Sequence, residues 1–204
     1  AGYGKSGNRK FEERGKMKSV LISTRPKWCH KIIDGEKKIE VRKTKPKLAI
    51  PFKVYIYCSA GSYDWRKDIW ATAYFPPSGE CTNMSQMVIG EFVCDEISPI
   101  RVFENGNIQD YMFHKMEKSC VPYDDIANYI GNGCTGYGWH ISDLKIYDKP
   151  KELSEFRKSG FMTEEEWLFN LYPNTHCHYE AWAKKFEITR PPQSWCYVEE
   201  LQNV

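Results

Sequence analysis

Ser19–Pro46 reads SVLISTRPKWCHKIIDGEKKIEVRKTKP, and its changes of period decide how the chain folds. Val20–Ile22 form a short β-rich run. Ser23 and Thr24 are capping-type residues, and Pro26 follows where proline is tolerated, in the first turn of a helix. Trp28, Ile32 and Ile33 recur at helical spacing, and Gly35 suits the left-handed residue that ends a helix. From Lys37 the period becomes two. Ile39 and Val41 then share one strand face, and Lys38, Glu40 and Arg42 the other. The stretch is expected to be strand, short helix, glycine stop, strand.

Its polar residues bring three chemistries together. Arg42 can grip a phosphate or carboxylate with two parallel hydrogen bonds. Glu40 can take a proton or accept a hydrogen bond from an exocyclic amine. Lys37, if desolvated, could serve as a base or stabilise an oxyanion. Glu40 and Arg42, two apart on one face, are equally placed to pair with each other. Arg25 and Lys27 would supply phosphate contacts, and Trp28, Trp139 or Trp195 could stack on a base, although tryptophan more often packs in a core.

Composition sets the bounds. A chain of 204 residues is long enough for one domain with a sizeable core. Aromatic residues make up 15%, which suits both a packed β-barrel and a site for flat ligands. Twenty-nine basic and 27 acidic residues leave a net charge of +2, so any nucleic-acid patch must be local. Eight cysteines without a secretory signal, several inside apolar runs, read as reduced thiols of a cytoplasmic protein. No run approaches the roughly 18 to 20 apolar residues of a membrane span. Residues 1–16 read as a disordered or added tail before Met17, and 17–204 as a single domain.

Further along, Lys43–Lys47 (KTKPK) is a basic turn, either solvated or phosphate-contacting. Phe52–Cys58 alternates as a strand. Residues 59–85 form a long aromatic loop, a packed insertion or lid that could also meet a protein partner. Val88–Asp95 is a strand in which Gly90 signals a bulge or close approach, prolonged by Ile97–Val102 after a break at Pro99. Residues 107–118 are expected to be helical, with Ile108, Tyr111, Met112 and Met116 on one face and His114 off it.

Gly131, Gly133 and Gly136 spell G-x-G-x-x-G, but Trp139–Tyr147 after them reads as a strand, so no dinucleotide cofactor is expected. These glycines suit a tight loop running close to a neighbouring strand or a bound ligand. His140 opens that strand at a loop edge, where it could contact a ligand. Leu153 and Phe156 anchor a linker-like stretch, Lys149–Gly160. Thr163 and Glu166 form a capping box ahead of a helix to Leu171, within a helical insertion around 151–187. His176, Cys177 and His178 alternate and lack a C-x-x-C partner, so no metal is expected. Trp195–Leu201 is the last strand.

Gly35, Lys37, Glu40 and Arg42 in GEKKIEVR, after ISTRPKW, resemble the G-x-K-x-x-E-x-R signature of the ASCH (activating-signal-cointegrator homology) domain. The resemblance extends from Lys18 to about Leu201 and includes the closing RPPQSWCYVEEL. It implies an α+β fold, a PUA-like small mixed β-barrel with flanking helices. It also implies binding of RNA or a nucleotide in a cleft beside the motif, with Lys37, Glu40 and Arg42 lining it. Some bacterial members of the family hydrolyse N4-acetylcytidine, and at least one is assigned ribonuclease activity, so a small hydrolase is the alternative. In the amidohydrolase branch the lysine, which matches Lys37, works with a threonine three residues later and a distant glutamate. Glu40 occupies the threonine position here, and Glu91 is only a guess for the glutamate, which speaks against that mechanism.

Overall fold

The computed structural model describes residues 18–60, 73–74, 82–109, 116–170 and 178–201. The opening stretch folds as its periods dictate. Strand β1 (Lys18–Thr24) leads through Arg25 into helix α1 (Pro26–Ile33), with Pro26 in the first turn. Gly35 then takes φ +70°, a conformation that only glycine adopts without strain, and returns the chain to strand β2 (Ile39–Arg42).

Strand β3 (Phe52–Cys58) lies parallel to β1, with Val20 opposite Val54. Two short strands, β4 (Ala73–Tyr74) and β5 (Thr82–Asn83), pair antiparallel within the 59–85 loop, most of which lies outside the described residues. Strand β6 (Val88–Cys94) pairs antiparallel with β3. A Cβ on Gly90 would collide with the Lys145 carbonyl, so the expected close approach is there, beside a register shift.

Three expectations are corrected. Strand β7 (Ile97–Arg101) does not prolong β6 but joins another sheet; Pro99 sits inside it because β7 is an edge strand. Ile108 is not helical, since it bridges to Val102 across the turn at Asn105–Asn107; residues 110–115, including His114, lie outside the described residues. The strand expected over Trp139–Tyr147 is two strands, β8 (Thr135–His140) and β9 (Ser142–Lys151), parted at Ile141, where the chain passes from one sheet to the other. A helix absent from the sequence reading, α2 (Tyr123–Ile130), precedes β8. Helix α3 (Glu164–Asn170), helix α4 (Tyr179–Ala183) and strand β10 (Trp195–Glu199) follow, with short 3-10 turns at Leu153–Glu155 and Lys184–Phe186. The capping box holds: Thr163 N donates to Glu166 Oε2 at 2.7 Å, and Glu166 N to Thr163 Oγ1 at 3.3 Å.

The fold is thus mixed α+β. A five-stranded sheet runs β10-β1-β3-β6-β9 and a three-stranded sheet β2-β8-β7. Alternation along the strands makes three cores. Val20, Ile22, Val54, Ile56 and Phe92 meet Trp139 and Ile141 between the sheets. Leu21, Tyr55 and Val198 meet Phe156 on the far face of the large sheet. Ile39, Val41 and Ile100 meet Ile126, Ala127 and Ile130 of α2 on the outer face of the small one. Because Ile39 and Val41 face α2, Glu40 and Arg42 must turn inward, toward β1 and α1.

Candidate functional site

All four residues of β2 are buried, although two are charged. Arg42 Nη2 lies 2.9 Å from Glu40 Oε1, so the pairing open to them in the sequence is realised. The same guanidinium donates from Nη2 to the Ser23 carbonyl at 2.9 Å and from Nη1 to the Ser194 carbonyl at 3.1 Å. Both terminal nitrogens are therefore engaged by protein, and only Nε lacks a partner.

Lys37, 2% exposed, donates to the carbonyls of Ile39 at 2.8 Å and Ser119 at 2.7 Å. Its Nζ also lies 3.3 Å from Glu40 Oε2, and 5.4 Å from the centre of the Trp28 ring. The turn at Gly35 makes this possible by leading the chain back beside the 118–120 turn, where Lys38 N and Ile39 N both donate to the Lys118 carbonyl. Glu40 thus sits between two cations. Its Oε2 is buried without a hydrogen-bond partner, because the Lys37 contact lacks hydrogen-bond geometry. Burial, the Cys58 thiol beside it and the Glu40 charge together push the Cys29 thiol well above its ordinary range.

A cavity of about 740 Å³ opens over this trio. Its floor is Lys37, Glu40 and Arg42; β1 and α1 contribute Ser23, Thr24, Arg25 and Trp28, and Ser59 follows β3. Another wall is α2, with Asp125, Ile126 and Tyr129, and the Pro191–Gln193 segment forms a rim. A second cavity, about 620 Å³ between Gln86–Met87, Leu153–Arg157 and Glu187–Thr189, holds no motif residue and brings no comparable set of buried charges together.

The remaining sequence candidates divide. Arg25 and Trp28 line the cavity; Lys27 does not, and its Nζ lies 4.7 Å from the centre of the Trp28 ring. Trp139 does not reach the cavity; it is fully buried between the sheets, edge-on to Phe52. Trp195 packs edge-on to Trp139 and donates its indole N–H to Thr44 Oγ1 at 3.0 Å. His140 ends β8 away from the cavity, its Nδ1 2.7 Å from Asp95 Oδ1. Hydrogen bonding to His140 lowers the Asp95 pKa.

Asp125 and Tyr129 went unnoticed in the sequence. The signals were Asp124 and Asp125 in a first turn after Pro122, the spacing of Ile126, Ala127 and Ile130, and Gly131 after the last residue. No group of three or more metal-ligating side chains occurs among the described residues, and His176 and Cys177 lie outside them. No described helix is long and apolar enough to cross a membrane. Six described cysteines are free thiols.

The architecture is that of an α+β domain with a charged, aromatic-walled cleft between its sheets. Its fold is that of ASCH domain structures. A crystal structure of a single-residue mutant of the ASCH protein from Zymomonas mobilis is similar with TM-score 0.51 and 14% identity, covering 89% of each chain. Another crystal structure of ASCH from that organism gives TM-score 0.49 at 14% identity, over 88% of this chain and 86% of that one. No family model and no curated protein matches the sequence.

Proposed function

We propose that the cleft binds a base or nucleotide, from RNA or free, with Glu40 reading the base edge. The two sheets would then be the walls of a PUA-like barrel. The observation that carries this reading is Glu40 Oε2, a buried acceptor on the cavity floor without a hydrogen-bond partner. An acceptor held only by the Lys37 charge, with no hydrogen bond of its own, favours a ligand that brings an N–H donor, such as an exocyclic amine. Arg42 and Lys37 hold the carboxylate in place, and Arg25 at the mouth is the phosphate contact. Trp28 offers a face for stacking.

Hydrolysis of a modified nucleoside or of RNA is the weaker reading. Lys37 Nζ already faces two carbonyls and a carboxylate, which weighs against a lone pair directed at a substrate. A protein partner docking on the 59–85 loop would use a segment mostly outside the described residues. Free thiols suit a reducing compartment such as the cytoplasm.

The test is a thermal-shift and mass-spectrometric screen of nucleosides, modified nucleosides and short RNAs on wild type and Glu40→Gln. A ligand that binds the native state raises Tm by an amount that grows with the logarithm of its concentration over Kd. Stabilisation of wild type, lost in the variant and without a mass change, is expected. A ligand whose mass changes only with wild type would move the protein to the hydrolases.

A further inference from the structure

The aromatic wall anticipated from Trp139 and Trp195 is missing from the cavity, and α2 occupies that role instead. Tyr129 lines the cavity yet is 40% exposed, unusual for a large ring on a helix whose Ile126, Ala127 and Ile130 are buried. Lys43, the residue after Arg42, places Nζ 5.2 Å from the centre of that ring. Asp125, one helical turn earlier and on the same face, lines the cavity as well. Two aromatic rings, Trp28 from α1 and Tyr129 from α2, therefore border one space, each with a lysine over it.

We infer that Asp125 and Tyr129 form a wall that selects ribonucleotides: Tyr129 stacks on the base, and Asp125 accepts a hydrogen bond from the ribose hydroxyls. The inference rests on the nucleotide reading above and assigns it residues outside the motif. Depth decides which group each carboxylate meets. Glu40 lies on the buried floor, where the edge of a base inserted between the rings arrives. Asp125 is exposed at the mouth, where the sugar emerges. An ionised carboxylate only accepts hydrogen bonds, so at that place it favours a hydroxyl and repels a phosphate. Lys43, exposed beside Tyr129, then joins Arg25 in meeting the phosphate. A 2′-hydroxyl is what distinguishes RNA from DNA at such a point.

Titration calorimetry of the ribonucleoside 5′-monophosphates and their 2′-deoxy counterparts tests this in wild type, Asp125→Ala, Tyr129→Leu and Tyr129→Phe. Melting curves of each variant establish that it folds, as expected for exposed side chains. Wild type should prefer the ribo form by about tenfold, the scale of one hydrogen bond to a charged group. Asp125→Ala, which removes the acceptor, should abolish that preference without weakening the deoxy form. Tyr129→Leu should weaken both by about tenfold while Tyr129→Phe keeps wild-type affinity, since the ring rather than the hydroxyl does the stacking. Equal affinity for ribo and deoxy forms in wild type, or a preference that survives Asp125→Ala, overturns the role of Asp125. Unchanged affinity in Tyr129→Leu overturns the stack. A wild type that binds none of these nucleotides and no short RNA overturns the nucleotide reading itself.

Discussion

Arg42 Nη2 lies 2.9 Å from Glu40 Oε1, and the same guanidinium reaches the carbonyls of Ser23 and Ser194. One buried ion pair thereby ties β2 to the end of β1 and to the residue just before β10. The carboxylate is shared with Lys37, whose ammonium fastens β2 to the Ser119 turn. The trio is both the floor of the cleft and a joint between its walls.

Glu40→Gln removes the negative charge from between two buried cations. Breaking a buried pair by deleting one partner costs about 3–5 kcal/mol. At about 2–4 °C per kcal/mol for a chain of this size, Tm should fall by roughly 6–20 °C. Calorimetric melting measures it, and a Tm within about 2 °C of wild type contradicts a joint of this strength.

Trp139 and Trp28 should separate stability from binding. Trp139→Phe opens a void in the core between the sheets and should cost about 1–3 kcal/mol in urea unfolding, with ligand affinity unchanged. Trp28→Ala should leave most stability in place and weaken any stacked ligand about tenfold. The reverse pattern would return Trp139 to the site.

Thr163→Ala removes one half of a reciprocal cap and should destabilise α3 by about 1 kcal/mol, while Thr163→Ser should hold wild-type stability. Amide exchange over 164–170 resolves the effect locally. Equal exchange in the two variants would mean that packing of Trp167 alone holds the helix.

Tyr147 should shape the alkaline limit. Burial and the Glu91 carboxylate, to which its hydroxyl donates at 2.5 Å, push its pKa up. The folded state then keeps a proton that the unfolded chain loses near pH 10, so stability falls as pH rises above about 10. Tyr147→Phe should make that fall shallower. A decline between pH 10 and 11 as steep as in wild type would place the alkaline sensitivity elsewhere.

Thiol reactivity should follow burial. Cys134 is exposed, whereas burial raises the pKa of Cys94 to about 12 and of Cys196 to about 11. Among the described cysteines, iodoacetamide at pH 8 should label Cys134 first and leave Cys29 and Cys94 intact in the native protein. Early labelling of Cys94, read by peptide mass, would show that the core between the sheets opens readily.

What the sequence determined by itself lies within a few residues of chain: the helix between Pro26 and Ile33, the left-handed Gly35, the alternation of β2 and β3, and the Thr163–Glu166 cap. Each rests on sterics or on hydrogen bonds between near neighbours, so a window of eight residues contains its cause. The same windows mislead where burial decides. Pro99 looks like a break because its tolerance depends on β7 being an edge strand, and Trp139–Tyr147 looks continuous because the change of sheet at Ile141 carries no local mark. Tertiary structure alone decided that Glu40 sits between Lys37 and Arg42 with one oxygen unmet. It also decided that Trp139 and Trp195 pack away from the cleft and that Tyr129 lies beside Lys43 at its mouth. Those relationships join residues as far apart as Arg42 and Ser194, and only the packing of the two sheets brings them within hydrogen-bonding reach.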